Sequence, residues 1–354
     1  MAKKEVMIQA LLQEIEMRKD EFKGQEVNCI YFGGGTPSVL ETKEINQLIQ
    51  CVYDHYTVSS DPEITLEANP DDLSRDKIQA LQLSAVNRLS IGVQSFFEAN
   101  LKMMNRAHNS QEAVESIILA SECFENLSLD LIYGIPGMNN IRWEQNIEKA
   151  LALGVPHISA YALTVEPKTA LENFIKKGVI PPVQDEVAQE HHKILVERME
   201  AAGYENYEFS NFGKAGFHSR NNTSYWEGKS YIGIGPGAHS YNGIDRSWNI
   251  SNNPKYIKSI TAGVLPMEVE TLSLNDRYNE YVMTRLRTAK GISLKQVQDS
   301  FGTTHHDYLL KQAQKHLKEQ LLLREDDRLH ISKKGKFLSD GIAADLFLVT
   351  LELT

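Results

Sequence analysis

The stretch CIYFGGGTPSVL, residues 29–40, decides how the chain is read. Four residues of high strand propensity run into Gly33, Gly34 and Gly35, followed by Thr36 and Pro37. Glycine loses more backbone freedom on folding than any other residue, about 0.5–1 kcal/mol relative to alanine, so three in a row need a reason. One is a tight strand-to-helix turn that requires positive φ. The other is a ligand that approaches bare backbone and meets its N–H and C=O groups. A turn generally needs one or two glycines, so the ligand reading is preferred.

Outward from this point the first half alternates strand and helix patterns. Residues 27–32 read as a strand and 42–56 as a helix starting at Thr42. A strand at 63–70 is followed by a helix opening at Ser74. A strand at 86–96 leads to a helix at 110–124 capped by Ser110. The strand 127–137 ends in a Gly-Ile-Pro-Gly turn, then come a helix at 142–153 and a last strand at 157–167. A repeat of this kind means βα units and a parallel sheet, open or closed.

Parallel α/β folds place their sites at the C-terminal strand ends. Here those ends carry GGGTP, Glu67-Ala68-Asn69-Pro70, Gly92-Val93-Gln94-Ser95, Asp130 with Tyr133-Gly134, and Tyr161-Ala162. Asn69-Pro70 and Gly134–Gly137 have a turn explanation. Glu67, Gln94 and Asp130 fit that explanation less well, which makes them candidates for one pocket.

The chain has 354 residues, 42% hydrophobic and 24% charged, enough for one large α/β domain and a smaller one. A net charge of −10 argues against a nucleic-acid partner. No apolar run reaches the roughly 18–20 residues of a spanning helix, and the first residues form an amphipathic pattern rather than a signal peptide, which points to the cytoplasm. The cysteines, Cys29, Cys51 and Cys123, have no metal-ligand spacing and are expected to be small buried apolar residues.

After Pro182 the pattern changes. Residues 184–203 read as a helix stopped by Gly203; its adjacent His191 and His192 cannot share a face and are expected at the surface. Residues 204–241 mix aromatics with glycines, and "YIGIGPGAHSY" (231–241) is either a tight bend or backbone laid against a planar ligand flanked by Tyr225, Trp226 and Tyr241. From about 271 onward, helices followed by a hairpin suggest a winged-helix-like module, for which a structural or lid role is preferred over DNA reading because its lysines are offset by acidic neighbours.

Taken together, "IYFGGGTPSVL", "LEANPDDL", "RLSIGVQSF…LKMMNRAH", "LDLIYGIPG", "ISAYALTVEPKTAL" and "YWEGKSYIGIGPGAHSY" resemble the HemW-type haem chaperones and, through them, the HemN-type oxygen-independent coproporphyrinogen III oxidases of the radical S-adenosylmethionine (SAM) superfamily. The resemblance runs from about residue 5 to the C-terminus. It implies an α/β fold, a partial (β/α)6 barrel over 1–182 with its first strand missing, an extension over 183–270, and a winged-helix-like α+β domain over 271–354. It further implies SAM bound at the strand ends, with the Gly34, Gly35, Thr36 turn at its amino group and Glu67, Gln94, Arg106 and Asp130 lining the pocket. Ala162 would lie near the adenine. A guanidinium such as Arg106 suits the SAM carboxylate, and Asp130 and Gln94 suit the ribose hydroxyls.

Two departures from the family pattern stand out. Family members carry a first strand and a CxxxCxxC loop whose thiolates hold a [4Fe–4S] cluster. This chain starts in the helix that follows, so the cluster has no covalent hold on it. A shortened chain is preferred over a cluster-free relative, since a missing strand bares an edge. As written, the chain is not expected to cleave SAM reductively. The family's "HNxxYW" run appears here as Arg220-Asn221-Asn222-Thr223-Ser224-Tyr225-Trp226, with asparagine at the histidine position. That leaves His218 and His239 as candidate axial donors for haem beside Tyr225 and Trp226, with an ordinary hydrogen-bonding role the preferred reading for each. Three functions stay open, in this order: a chaperone passing haem to an acceptor protein, an oxidase acting on coproporphyrinogen III, and a SAM- or porphyrin-binding scaffold without chemistry.

Overall fold

A computed structural model describes residues 2–349. In chain order, α1 (Ala2–Met17) precedes β1 (Val27–Phe32), α2 (Thr42–His55), β2 (Val58–Ala68), α3 (Arg75–Gln82), β3 (Arg88–Gln94), α4 (Glu98–Met103), α5 (Ser110–Ser121), β4 (Asn126–Tyr133), α6 (Asn140–Ala152) and β5 (His157–Ala162). Next come α7 (Ala170–Lys176), α8 (Asp185–Ala201), β6 (Glu205–Glu208) and β7 (Asn211–Gly213). The strands lie in the order β1-β2-β3-β4-β5-β7-β6. β2 to β5 pair in parallel, while β7 and β6 join antiparallel. The chain therefore reverses after β5, and the α/β sheet is a curled half-barrel, a partial barrel of the expected class.

Register explains how this sheet makes two different faces. Side chains alternate along a strand, and laterally paired residues share a face. Thr65, Arg88 and Asn126 form one row; Glu67, Ser90, Ser128 and His157 form the next; Asp130 pairs with Ser159 beyond them. The opposite face carries Leu66, Leu89 and Leu127, then Ala68, Ile91, Leu129 and Ile158. Against that apolar face come buried residues of the helices, among them Ile78, Ile117, Trp143, Ile147 and Leu195. Each such side chain contributes about 1.5–3 kcal/mol by leaving water.

Several local expectations are corrected. β2 begins at Val58, earlier than the pattern at 63 suggests. The cap of α5 is Asn109, not Ser110: its Oδ1 accepts from Gln111 N (2.9 Å) and Glu112 N (3.0 Å), and Glu112 answers on Asn109 N (2.9 Å). His191 and His192 are buried rather than exposed. α8 is walled on two sides, so neighbours on different faces both find cover. His191 Nδ1 accepts from Gly134 N (3.1 Å) and its carbonyl from Trp143 Nε1 (2.8 Å), while His192 stacks on Phe209 with centroids 4.6 Å apart. The three cysteines are half-buried rather than buried.

The second half adds α9 (Arg220–Trp226), β8 (His239–Tyr241), β9 (Asp245–Asn249), α10 (Asn253–Thr261), β10 (Met267–Thr271) and α11 (Leu274–Leu286). β11 (Ile292–Ser293), α12 (Leu294–Phe301), α13 (Thr303–Lys318), β12 (Leu322–Glu325), β13 (Arg328–Ile331) and α14 (Ser339–Asp345) complete it. The succession α11, β11, α12, α13 and the β12–β13 hairpin, paired as β11-β13-β12, is that of a winged helix built on a core of Tyr278, Val282, Leu309, Leu329 and Leu346. By compactness the chain forms two units. One holds Cys29–Asn46 and Pro62–Ser219; the other holds the N-terminal segment to Asn28, Gln47–Asp61, and the chain from Arg220 onward. No helix among the described residues is long and apolar enough to cross a membrane.

In the second of these units the glycines of 231–241 are accounted for by the chain itself. A Cβ on Gly233 would lie 2.0 Å from the His239 carbonyl oxygen, so only glycine lets the two segments cross. The crossing is clamped from α1. The buried Glu14 carboxylate accepts from Gly235 N (2.8 Å), Asn249 Nδ2 (2.7 Å), Tyr256 OH (2.5 Å) and Arg18 Nη1 (3.3 Å). Arg18 in turn donates to the Gly233 carbonyl (2.8 Å), Ser240 Oγ (3.0 Å) and Glu21. A tight bend, not a ligand, is the reason for those glycines. Removing one partner from such a buried ionic network leaves the other uncompensated, so Glu14→Ala is expected to cost about 3–5 kcal/mol. Urea unfolding measures it; a loss below about 1 kcal/mol would contradict the clamp.

Candidate functional site at the strand ends

The glycine turn leaves β1 at its C-terminal end. Gly34 and Gly35 have φ of +75° and +68°, which disfavours any other residue. Gly33 is needed for a different reason: a Cβ there would stand 2.4 Å from the Tyr31 ring. Turn geometry and ring packing thus account for all three glycines without a ligand. Apart from the adjoining residues of the turn, no atom among the described residues lies within 4 Å of a Cβ built on Gly34 or Gly35, so the turn borders open space.

Glu67, at the end of β2, is held by this turn. Its Oε1 accepts from Tyr31 OH (2.6 Å) and its Oε2 from Gly34 N (3.2 Å). Burial and the neighbouring Glu67 charge push the Tyr31 hydroxyl far above its usual pKa, so it stays a donor. Two strands on, Asp130 accepts from Ser90 Oγ (3.3 Å). Burial raises its pKa to about 6; the Glu67 charge adds to the rise and the Ser159 and Ser90 hydroxyls oppose it. Tyr161, on β5, is likewise raised, by burial and then by Asp130.

Arg106 closes the other side. Its Nη2 donates to Asn69 Oδ1 (2.8 Å) and to the Gly92 carbonyl (3.0 Å), and its other nitrogens hold no hydrogen bond among the described residues. Burial lowers its pKa, with Asp71 and Asp130 working against that shift. Gln94 sits at a register shift in β3 with φ +67°, and this turns its amide toward Arg106 over Gly92. A Cβ on Gly92 would meet Gln94 Nε2 at 3.0 Å and Arg106 Nη2 at 3.1 Å.

Glu67, Asp130, Gln94 and Arg106 therefore gather with the Gly34–Gly35 backbone on the polar face of one sheet. Thr36 continues the turn, exposed, with its hydroxyl capping nothing. Ala162 pairs with Tyr133 on the apolar face, so what it can offer a ligand at this rim is backbone. Tyr31, Asn69, Ser90, Ser159 and Tyr161 belong to the cluster without having been singled out as site residues. For Ser90, Ser159 and Tyr161 the signal was present in the polar–apolar alternation of β3 and β5, whereas Tyr31 stands on β1 and Asn69 follows β2. A separate cavity of about 720 Å³ lies between the Gly134–Ile141 loop and Pro181, Pro182, Gln184 and Val187; none of the candidate residues lines it.

The haem candidates divide between the units. His218 stacks on Tyr207 (4.3 Å, 16°), with its Nε2 3.1 Å from Glu205 Oε2. In the other unit Tyr225 meets Trp226 edge-on at 5.3 Å, Arg287 lies over the Trp226 ring, and the exposed His239 lies 6.1 Å from Trp248.

The residues at the rim suit SAM: free guanidinium donors on Arg106 for its carboxylate, open space at bare backbone for its amino group, and carboxylate and amide groups for its ribose. A [4Fe–4S] cluster is a different matter. Cys29 stands on β1, Cys51 on α2 with its thiol toward the Leu12 carbonyl, and Cys123 just after α5. No group of three or more His, Cys, Asp or Glu among the described residues could hold a metal ion. The described residues do not fit the cluster.

Comparison with known proteins places these features in a family. The Radical SAM superfamily profile matches residues 3–166, and the HemN C-terminal domain profile residues 272–338. The haem chaperone HemW of Bacillus subtilis is 36% identical over 323 residues, 90% of this chain and 84% of that protein. The HemW of Mycobacterium tuberculosis is 32% identical over 339 residues, 95% of this chain and 85% of that protein. Among solved structures, the coproporphyrinogen III oxidase HemN of Escherichia coli superposes with a TM-score of 0.82 over 98% of this chain and 84% of its own; at 21% identity this likeness concerns the fold alone.

The packing of Gly33 against Tyr31 is testable by itself. Gly33→Ala should cost about 1–3 kcal/mol through overpacking. In a Tyr31→Ala background most of that cost should vanish, a coupling of about 1 kcal/mol or more in a double-mutant cycle of denaturant midpoints. Equal costs in both backgrounds would contradict the contact.

Proposed function

The chain belongs to the HemW/HemN-like radical SAM family, and we propose that it serves there as a haem chaperone that binds SAM at the strand-end rim and hands haem to acceptor proteins. The observation that carries this reading is the extent of similarity to proteins named as haem chaperones, 32–36% identity over 90–95% of the chain. The likeness to coproporphyrinogen III oxidase is one of fold, at 21% identity.

In this reading the strand-end residues divide the work of binding. Arg106 pairs with the SAM carboxylate through the nitrogens left free by Asn69 and Gly92. The Gly34–Gly35 backbone, held by Glu67, faces the amino group. Asp130 and Gln94 take the ribose hydroxyls, and the Ala162 backbone meets the adenine. When bound, SAM supplies a sulfonium cation, which the Glu67 and Asp130 carboxylates balance. Their cluster is electronegative, and that favours a cationic ligand over an anionic one.

Haem would be met by Tyr225 and Trp226 and by the His239 imidazole. His239 is exposed, whereas His218 is stacked on Tyr207 beside Glu205. The proposal predicts that the protein takes up hemin with a Soret shift and releases it to an apo-haem protein. His239→Ala should weaken uptake about tenfold or more and alter the Soret maximum. Failure of the wild type to bind hemin, or uptake without any release, would overturn the chaperone reading.

A further inference from the structure

Around α9, β8 and α11 three tyrosine rings run in series. Tyr225 is 52% exposed; its ring lies 5.9 Å from Tyr231, and Tyr231 lies 6.4 Å from Tyr241, with planes tilted 41° and 42°. Reciprocal backbone hydrogen bonds (2.9 and 3.0 Å) fix Tyr231 beside Tyr241. Arg246 pairs with Tyr241 across the β8–β9 ladder and its side chain ion-pairs with Glu280, one turn after Arg277 on α11, so this stretch of α11 lies beside the Tyr241 end of the row. Burial raises the Tyr241 hydroxyl pKa, and the charges of Arg277 and Arg246 temper that rise.

The arginines of this region differ in one respect. Arg246 pairs with Glu280. Arg285 donates to the Glu227 carbonyl (2.9 Å) and lies over the Tyr281 ring; Arg287 pairs with Asp340 (2.7 Å) and covers Trp226. Arg277 is half-buried, its Nε is buried with no hydrogen-bond partner, and its side chain makes no ion pair among the described residues. A guanidinium drawn partly out of water and given no anion bears a desolvation cost that a bound carboxylate would offset. Its planar fork accepts a carboxylate in bidentate fashion.

An aromatic row whose Tyr225 end is exposed, with half-buried Tyr231 and Tyr241 leading to an uncommitted guanidinium, matches a flat aromatic molecule that carries carboxylates on its edge. We propose that Arg277 seats a carboxylate of a tetrapyrrole whose macrocycle lies against Tyr225 and Tyr231. This rests on the haem reading above and assigns to it a residue outside the "YW" segment. The interaction acts on the ligand's acid groups and is independent of which atom ligates the iron.

The test titrates hemin and hemin dimethyl ester into the full chain, its Arg277→Ala variant and its Arg277→Lys variant, with thermal melts to show that each folds. A charge-assisted hydrogen bond is worth about 1.5–3 kcal/mol, so Arg277→Ala should weaken hemin binding about tenfold or more. The ester, having no carboxylate, should bind wild type and Arg277→Ala equally and more weakly than hemin binds wild type. Arg277→Lys should recover part of the loss. Hemin uptake by the wild type with an unchanged Arg277→Ala affinity overturns the arginine seat alone. An equal loss for hemin and ester assigns Arg277 to packing and also overturns it. No hemin uptake by the wild type sinks the haem reading and this inference with it.

Discussion

Alternation of side chains across β2, β3, β4 and β5 is the constraint on which the rest depends. In-register parallel pairing puts Leu66, Leu89, Leu127 and their neighbours on one face, where helices remove them from water. The same pairing puts Thr65, Glu67, Arg88, Ser90, Ser128, Asp130, His157 and Ser159 on the other. A slip of one residue in any pair would exchange the two sets. The carboxylates Glu67 and Asp130 are thus brought close enough for one to raise the pKa of the other. Arg88 and Arg106 offset part of that repulsion, and a sulfonium-bearing ligand would offset more of it.

The second unit meets a similar problem by a different route. There the buried Glu14 and Arg18 satisfy each other and the backbone of the 231–241 segment, and the polar groups are used up in holding a chain crossing. The contrast between Arg18, saturated with acceptors, and Arg277, whose Nε has no hydrogen-bond partner and whose side chain makes no ion pair among the described residues, separates a structural guanidinium from one with capacity for a ligand.

Much of this was legible beforehand. The strand–helix alternation, the strand-end positions of Glu67 and Gln94, and the helix–hairpin order of the C-terminal module follow from local pattern, and local pattern is where periodicity is informative. Asp130 instead stands inside β4, three residues before its end. Other features depend on contacts between distant segments. The burial of His191 and His192 required a second wall, supplied by Phe209 and by the end of β4. The glycines near 233 answer to His239, and Gly33 answers to Tyr31, so a ligand explanation offered for either run competes with crowding that no window of sequence displays. Gln94 lies with Arg106 over Gly92 at a register shift where its φ is positive, again a property of the sheet rather than of the segment.

Calorimetric titration of SAM against pH, on wild type and Asp130→Asn, tests the strand-end site most directly. The Asp130 carboxyl is raised to about 6, so it is ionised above that pH and can accept from a ribose hydroxyl beside Gln94. Below it the group is protonated, and binding must give up that proton at a cost approaching tenfold per pH unit. The account predicts SAM affinity that is flat above about pH 7, falls below about pH 6, and loses that fall in Asp130→Asn. SAM binding indifferent both to pH and to the substitution, or no SAM binding at any pH, would contradict it.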